Sequence, residues 1–517
     1  MVEKQNILFI IIDQLRADCV TGALEAYVDM PNIRALRDDS VSFNKHYSVV
    51  NPCGPARASI LTSQYAYNHG SVRNGAPLAF DTPNLAREIR KAGYEPMLFG
   101  YTDTSGDPSV LHENDPSVRE YESVMPGWVE KLEMRAESSY PWRASLKTKG
   151  YDIPPFDEFF VPQTPKGQEP RLDDPAFYKA EDSDTAFLTD EVLKELSVRQ
   201  GRGWFAHVTY LRPHPPLVAA APYNHMYKDA DIPPPIADKT CQEEAATHPY
   251  LAIYLEVMKH HKYFEGPLGE PDVCDGQDPE IIKIGRAIYM GLVTEVDHHV
   301  GRIIDHLKST NEYDNTLIVL TADHGEMLGD HRSWEKRSVY EASFHVPLII
   351  RDPNNKKFHG TVIERFSESI DIMPTILRWA GLGDGLIKPN SYNGHCLMAF
   401  LKGGVPGNWR THVYAELDFG EPADPTPWQQ VMGLDLQDAN LAILRDENYK
   451  LVHFNAGIPP LLFDLKADPN EMVDLADDAE SMPILLKMTQ KLLSHRMRYT
   501  NRRLSNYRVT PQGTLSD

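Results

Sequence analysis

Cysteine is scarce in this chain, whose 517 residues include five cysteines and no C-x-x-C pair. This spacing excludes a disulfide framework and a C-x-x-C zinc or redox site, and it predicts reduced thiols. No stretch of about 18 apolar residues occurs, so we expect no membrane-spanning helix. The apolar run at residues 7–12 is too short for a secretory signal and leads to no small-residue cleavage site. These features predict a soluble, cytoplasmic protein.

Basic residues are fewer than acidic ones: the chain has 52 Lys and Arg and 74 Asp and Glu, which gives a formal net charge of −22. Nucleic-acid-binding proteins present basic surfaces, and anionic membranes attract basic segments, so we expect neither partner. The Arg-rich tail at residues 496–508 is interpreted as a solvated or subunit-bridging arm, with a nucleic-acid-binding patch as the alternative. Apolar residues make up 41% and charged residues 24%, which is an ordinary globular composition.

Short continuous apolar runs, typical of buried parallel strands, occur at residues 6–12, 204–211, 316–321 and 346–350. Between them lies a helical pattern in which apolar residues recur every three or four positions from residue 281 to 307. Strands alternating with helices predict an α/β fold with a large mixed, mainly parallel sheet flanked by helices.

The pattern changes near residue 390, after which short alternating segments precede a helical stretch near residues 483–496. We therefore predict two domains. Residues 1–390 would form the catalytic α/β domain, and residues 391–517 a smaller C-terminal α+β subdomain with an extended tail.

Polar side chains follow three of the predicted strands. Asp13 follows the first, His214 the second, and Asp323 with His324 the third. Ligands of open α/β sheets gather at the carboxyl ends of the strands, so these residues are expected at one rim. The alternative to a ligand-binding role is a structural one, in which Asp13 caps a helix and Asp323 starts a turn.

The sharpest local feature is the segment from Cys53 to Arg57. Pro55 suits the first turn of a helix, which would put Cys53 at the helix N-terminus, where anions are favoured. Arg57 lies one turn later on the same face, so a nucleophile and a guanidinium would share an anion pocket. The alternative is a structural cysteine beside a surface arginine. A protein-tyrosine-phosphatase loop is excluded, because its arginine stands six positions after the cysteine rather than four.

The segment Cys53-Gly54-Pro55-Ala56-Arg57 matches the C-x-P-x-R signature of formylglycine-dependent sulfatases, a motif shared with phosphonate monoester hydrolases. The chain resembles this family over nearly its whole length, with landmarks at Asp13, residues 321–331 and residues 461–471. The resemblance implies an alkaline-phosphatase-like fold and oxidation of Cys53 to an aldehyde by a formylglycine-generating enzyme. The hydrated aldehyde would then be the nucleophile.

The resemblance also implies one divalent metal ion held by Asp13, Gln14, the modified Cys53, Asp323 and His324. Many sulfatases have a further aspartate at the Gln14 position and an amide at the His324 position, and use Ca²⁺. The Asp-Gln and Asp-His pairs look like the phosphonate monoester hydrolase branch, which uses Mn²⁺, and imidazole suits a transition metal. We expect Mn²⁺, with Ca²⁺ as the alternative.

Four further positions match the family's site, and one, Asp103, departs from it. Asn74 would donate to a non-bridging oxygen, His214 would act as an acid or hydrogen-bond donor, and Lys336 would pair with the transferred anionic group. Tyr101 and Asp103 follow a predicted strand at residues 96–100. Asp103 interrupts a Thr-rich run of the phosphonate monoester hydrolases and is interpreted as a determinant of ester preference. The alternative for His214 and Lys336 is that each is an ordinary packed or solvated residue without a catalytic role.

Together these features predict a hydrolase of sulfate monoesters, of the arylsulfatase type, that also cleaves phosphonate monoesters and phosphodiesters, all singly charged. A primarily phosphonate monoester hydrolase or phosphodiesterase is the close alternative. Two other classes remain open: a two-metal phosphatase or phosphomutase, and a non-catalytic anion-binding protein with an unmodified Cys53. The resemblance further implies a small anionic ester as substrate and a homo-oligomer, either a dimer or a tetramer.

Overall fold

The structure is a computed structural model that describes residues 4–136, 139–259, 279–383, 392–501 and 507–516. The strands of these residues are β1 (Asn6–Ile12), β2 (Val41–Phe43), β3 (His46–Tyr47), β4 (Val50–Asn51), β5 (Pro96–Gly100), β6 (Val129–Glu133), β7 (Phe205–Tyr210), β8 (Thr316–Ala322), β9 (Leu348–Arg351), β10 (Thr361–Ile363), β11 (Ser367–Glu368), β12 (His412–Asp418), β13 (Asn440–Asp446), β14 (Tyr449–Phe454), β15 (Leu461–Asp464), β16 (Tyr507–Thr510) and β17 (Gly513–Ser516).

The helices of the same residues are α1 (Ala17–Val20), α2 (Pro31–Asp38), α3 (Cys53–Thr62), α4 (Ala66–His69), α5 (Leu85–Ile89), α6 (Tyr140–Thr148), α7 (Asp184–Arg199), α8 (Cys241–Thr247), α9 (Pro249–Lys259), α10 (Pro279–Ser309), α11 (Glu341–Phe344), α12 (Ile372–Trp379), α13 (Met398–Leu401), α14 (Pro427–Met432) and α15 (Met482–Tyr499). The longest, α10, corresponds to the helix expected from the apolar period at residues 281–307. No helix in these ranges combines the length and apolarity needed to cross a membrane.

The large sheet has eight strands in the order β10-β2-β9-β8-β1-β7-β5-β6. Strand β9 runs antiparallel to β8 and β2, and the other neighbours are parallel. The predicted mixed, mainly parallel sheet is confirmed. The expectation of a parallel strand at residues 346–350 is wrong. Between β8 and β9, where every residue is described, the only α-helix is the four-residue α11, and the chain re-enters the sheet beside β8 in the opposite direction, as an antiparallel pair allows.

Strand β1 lies at the centre of this sheet and is buried along its whole length. Its alternate residues enter two hydrophobic cores: Leu8, Ile10 and Ile12 contribute to one, and Ile7, Phe9 and Ile11 to the other. Helices α7 and α10 pack into the first core, and α3, α5 and α12 into the second. Both faces are therefore covered, which explains why β1 reads as a continuous apolar run.

A second sheet has five strands in the order β15-β14-β13-β12-β4, antiparallel except for the parallel pair β12 and β4. Helix α15 packs on it through Met488 and Leu492. Strand β4 comes from the N-terminal part of the chain and ends two residues before Cys53. The C-terminal sheet therefore holds the segment that leads into the nucleophile candidate.

Three cysteines, Cys19, Cys53 and Cys396, are free thiols, whereas Cys241 is disulfide-bonded. The expectation of reduced thiols throughout is wrong at Cys241, because spacing along the chain does not report proximity in space.

Candidate active site

The carboxyl ends of four adjacent parallel strands form one edge of the large sheet. Asp13 follows β1, Asp323 and His324 follow β8, Tyr101 follows β5, and His214 lies four residues beyond β7. The structure brings these side chains to the rim expected from the strand ends.

Cys53 is the first residue of α3 and is 4% exposed. Its sulfur lies 3.1 Å from Nε2 of His324 and 3.9 Å from Oδ1 of Asp13. Burial raises the pKa of the Cys53 thiol well above its ordinary value, and the Asp13 carboxylate raises it further. The thiolate is the reactive form of cysteine, so this environment does not support an ordinary cysteine nucleophile.

Arg57 joins the two carboxylates that follow β1 and β8. Its Nε donates to Oδ2 of Asp323 at 2.9 Å, and its Nη2 donates to Oδ2 of Asp13 and to the Tyr101 hydroxyl, both at 3.1 Å. The guanidinium lies 4.1 Å from the centre of the Tyr101 ring, and the Tyr101 hydroxyl also donates to Asp13. This network fixes both carboxylates around Cys53.

The ligand atoms of Asp13, Cys53, Asp323 and His324 lie within 4.8 Å of one another. His324 Nδ1 lies 3.0 Å from the Gly325 carbonyl oxygen, so Nδ1 carries the proton and the Nε2 lone pair faces the cluster. Burial raises the Asp13 pKa, but His214, Arg57 and His324 outweigh it and leave that pKa below its ordinary value. Two carboxylates and an imidazole suit a divalent transition metal, so these residues fit the implied ion.

Gln14 adopts a left-handed backbone conformation, with φ 65°. Its N–H donates to Oδ1 of Asp323 at 3.2 Å, and its Oε1 accepts a hydrogen bond from Lys336 Nζ at 2.8 Å. Gln14 therefore links the Asp323 carboxylate, through its backbone N–H, to Lys336, through its side-chain oxygen. Its role as a metal ligand stays a prediction.

Lys336 Nζ also lies 2.7 Å from Nε2 of His214, whose Nδ1 lies 2.6 Å from the Pro215 carbonyl oxygen. An ammonium only donates, so His214 Nε2 accepts and Nδ1 carries the proton. Burial and Lys336 lower the pKa of His214 to about 4, which agrees with a neutral ring. His214 thus has no proton on Nε2 to offer a leaving group in this arrangement, and its role as an acid stays a prediction.

Asn74 and Asp103 pack around Gly54 at the start of α3. Asn74 Oδ1 accepts a hydrogen bond from the Gly54 N–H at 2.9 Å. A Cβ at Gly54 would lie 3.0 Å from Asn74 Oδ1 and 3.1 Å from the Asp103 carbonyl oxygen. Both contacts explain why glycine follows the cysteine, and they use the Asn74 oxygen rather than its amide nitrogen.

Asp103 is 6% exposed and has φ 48°, and its Oδ2 lies 3.9 Å from Arg57 Nε. Its Oδ1, like Arg57 Nη1, is buried with no hydrogen-bond partner in the described residues. Burial raises the pKa of Asp103 well above its ordinary value, and Arg57 offsets this only partly. Asp103 therefore lies beside the guanidinium without forming a close ion pair.

Sequence reasoning did not assign Glu326 to the site, although it lies in the landmark Thr321–Glu326 segment. Its carboxylate accepts from the side-chain nitrogen of Gln14, from the Leu328 N–H at 2.8 Å and from the Glu335 N–H at 2.7 Å. Glu326 thus orients Gln14 so that Oε1 faces Lys336. The only sequence signal was the landmark segment itself.

The sequence profile of the sulfatase family matches residues 5–382, and that of the C-terminal part of N-sulphoglucosamine sulphohydrolase matches residues 329–498. The chain is 38% identical to the multifunctional alkaline phosphatase superfamily protein PehA of Trinickia caryophylli, over 99% of this chain and 98% of that protein.

Two solved structures are similar along their whole length. The phosphonate monoester hydrolase SpPMH of Silicibacter pomeroyi has a TM-score of 0.94 at 50% identity, covering 99% of both chains. The phosphonate monoester hydrolase of Agrobacterium radiobacter has a TM-score of 0.93 at 38% identity, covering 99% of this chain and 100% of that one. The fold is the alkaline-phosphatase-like sulfatase fold, and the chain belongs to the sulfatase family of the alkaline phosphatase superfamily.

Proposed function

We propose that this protein hydrolyses singly charged esters of sulfuric and phosphonic acids, cleaving sulfate monoesters, phosphonate monoesters and phosphodiesters at one site. The observation that carries this proposal is the cluster of Asp13, Cys53, Asp323 and His324 beside Arg57. The similarity to two phosphonate monoester hydrolases favours phosphonate monoesters as the faster substrates.

The positive charge that one metal ion, Arg57 and Lys336 would provide suits a substrate with a single negative charge. Among the described residues this cluster is the one group of His, Cys, Asp and Glu side chains arranged to hold a metal ion. Phosphate monoesters are largely dianionic at neutral pH, and two-metal enzymes stabilise that extra charge. One cation with Arg57 and Lys336 therefore suits sulfate monoesters, phosphonate monoesters and phosphodiesters better.

The reaction needs Cys53 in its formylglycine form, whose hydrate carries two hydroxyl groups on one carbon. Asp13, Asp323, His324 and the residue-53 oxygen would hold the ion, Mn²⁺ in preference to Ca²⁺, with Gln14 beside it. When bound, the ion would lower the pKa of a coordinated hydroxyl and offset the carboxylate charge. Arg57 keeps Asp13 and Asp323 in place.

One hydrate hydroxyl gives up its proton as its oxygen forms a bond to sulfur or phosphorus, and the bond to the leaving group breaks; the leaving group departs with the electron pair and takes up a proton. The second hydroxyl then loses its proton, the aldehyde C=O re-forms, and the C–O bond to the sulfate, phosphonate or phosphate breaks with its electron pair on the departing oxygen. Addition of water to the aldehyde restores the hydrate and completes the hydrolysis. Lys336, whose ammonium is oriented by Gln14 and His214, donates to a non-bridging oxygen. Asn74, which contacts Gly54 at the start of α3, and Tyr101, which contacts Arg57, would border the same group.

Other features stay predictions of the sequence. They are maturation by a formylglycine-generating enzyme, a homodimer or homotetramer, a cytoplasmic location, no nucleic-acid partner, and a domain boundary at residue 390.

The test is a rate panel on the metal-loaded protein, produced with a formylglycine-generating enzyme. It compares an aryl sulfate, a phosphonate monoester, a phosphodiester and a phosphate monoester with one leaving group. We expect kcat/KM to be lowest for the phosphate monoester, and intact mass to show the aldehyde at residue 53. A rate confined to the phosphate monoester, or full activity with an unmodified thiol, would contradict the proposal.

A further inference from the structure

Arg212 is a buried arginine at the carboxyl end of β7 that neither the sequence motifs nor the family resemblance assigned. It is 1% exposed and precedes a loop that contains Pro213, Pro215 and Pro216. Prolines have no N–H, so this loop has few backbone donors of its own, while its carbonyl oxygens need hydrogen-bond partners.

The Arg212 side chain supplies those donors. Its Nη1 donates to the carbonyl oxygen of His214 at 3.0 Å and to that of Pro216 at 2.9 Å. Its Nε donates to Oδ2 of Asp184, the first residue of α7, at 3.0 Å. One guanidinium thus connects the loop backbone at residues 214 and 216 to Asp184 at the start of α7.

The conformation of this loop determines the orientation of the His214 ring, which contacts Lys336. With the backbone held at residues 214 and 216, the ring donates through Nδ1 to Pro215 and presents Nε2 to Lys336 Nζ at 2.7 Å. Lys336 also donates to Gln14 at 2.8 Å. Two of the three ammonium protons are therefore used by Gln14 and His214, while Oε2 of Glu335 lies 3.5 Å from Nζ. The third proton is the one that we assign to a ligand.

We propose that Arg212 is a positioning residue for the ester hydrolysis, acting through His214 to fix the Lys336 ammonium. This inference rests on the proposed function, because Lys336 is assigned there to the transferred group. Positioning of this kind affects rate strongly, since a displacement of about 1 Å can cost roughly 100-fold. Arg212 itself touches no reacting atom.

The test is a double-mutant cycle on kcat with Arg212→Gln, His214→Ala and the double variant, normalised to formylglycine and metal content. We expect Arg212→Gln to lower kcat by roughly 10- to 100-fold. In the His214→Ala background the same change should alter kcat by less than about twofold, because the two residues act as one unit. Additive losses in the cycle would overturn the proposal.

Arg351→Gln is the matched control. Arg351 is also 1% exposed, and it donates to Asp39 at 2.7 Å and to the Tyr313 carbonyl at 2.8 Å. It pairs with Ile318 near the start of β8, at the edge of the sheet away from the site. We expect this variant to lose thermal stability yet keep kcat. An equal loss of kcat in both variants would mean that Arg212 is merely structural.

A crystal structure of Arg212→Gln gives a readout independent of activity. We expect the distance from Lys336 Nζ to His214 Nε2 to exceed hydrogen-bonding range, and an unchanged 2.7 Å contact would reject the proposal. If the Gln variant does not fold, Arg212→Lys replaces it, because a single ammonium cannot serve Asp184 and both carbonyls. If the wild type cleaves none of the esters, the proposed function fails, and this structure still decides the positioning role.

Discussion

The sulfur of Cys53 lies 3.1 Å from Nε2 of His324, so residue 53 and an imidazole lone pair face the same point at the edge of the sheet. We expect Cys53→Ala to lower kcat by at least roughly 10³-fold, about 4 kcal/mol of barrier, because covalent catalysis is lost. Steady-state rates on a phosphonate monoester measure this. Cys19→Ala, a change at a buried free thiol that no proposal places at the site, is the control. Near-normal turnover of Cys53→Ala would reject the covalent mechanism.

Removal of the metal should abolish hydrolysis by the mature protein. We expect dialysis against a chelator to stop turnover and added Mn²⁺ to restore it more fully than Ca²⁺, since His324 offers a nitrogen ligand. Metal analysis should give about one ion per chain, as in single-ion sites. Asp323→Asn should bind the ion more weakly, whereas Asp190→Asn, at an exposed ion pair with Arg302, should not. Stoichiometric Ca²⁺ without a transition metal in active protein would contradict the Mn²⁺ assignment.

Asp103 should influence the choice among ester types. The carboxyl of Asp103 is buried beside Arg57, and its Oδ1 has no hydrogen-bond partner among the described residues. We therefore expect its interaction with a bound anion to depend on the oxygens of that anion. We expect Asp103→Thr to change the sulfate-to-phosphonate ratio of kcat/KM by roughly tenfold, since a nearby carboxylate and a hydroxyl differ in charge and donor capacity. An unchanged ratio would show that Asp103 plays no part in selection.

Gly54 should not tolerate a side chain. A methyl group there would press on Asn74 Oδ1 and on the Asp103 carbonyl oxygen, and the latter belongs to the backbone. We expect Gly54→Ala to lower kcat by roughly tenfold or more, because small displacements at a site are costly. Gly407→Ala should leave kcat unchanged, because an added Cβ there comes within 4 Å of no described residue apart from its own chain neighbours. Equal activity of the two variants would contradict tight packing at Gly54.

Glu295 on α10 should make stability depend on pH. Burial, with a contribution from Asp184, raises the pKa of Glu295 from 4.5 to about 8. The folded chain then holds a proton that the unfolded chain releases, so its stabilising effect is complete below pH 4.5 and is lost as pH rises toward 8, by about 1.4 kcal/mol per pH unit. We expect the thermal unfolding midpoint to fall over this range. Glu295→Gln should flatten the decline, and Glu480→Gln, at an exposed position, should not. A decline that persists unchanged in Glu295→Gln would reject this assignment.

Strand ends were the part of the site that sequence reasoning could locate. Asp13 and Asp323 directly follow continuous apolar runs, and a parallel sheet places such residues at one edge regardless of loop details. The Cys53 helix was also predictable, because Pro55 suits a first turn and Arg57 lies one turn on. In each case a local pattern determined the position.

Contacts between distant loops could not be predicted. The link from Lys336 to Gln14 joins residues 322 positions apart, and no periodicity reports such a contact. Arg212 likewise stands in a proline-rich segment, and its sequence does not show that the side chain contacts the carbonyl oxygens of His214 and Pro216. The direction of β9 was missed because an apolar run has the same composition in parallel and antiparallel neighbours.

Strand β4 pairs in parallel with β12, with Val50 opposite Glu416 and Asn51 opposite Leu417. During synthesis, Cys53 leaves the ribosome some 360 residues before that pairing partner exists, at residues 412–418. The finished fold leaves only 4% of Cys53 accessible. An enzyme that modifies this side chain would therefore reach it more readily before β12 has been synthesised and has paired with β4. We therefore expect the predicted oxidation of Cys53 to take place before β12 pairs with β4.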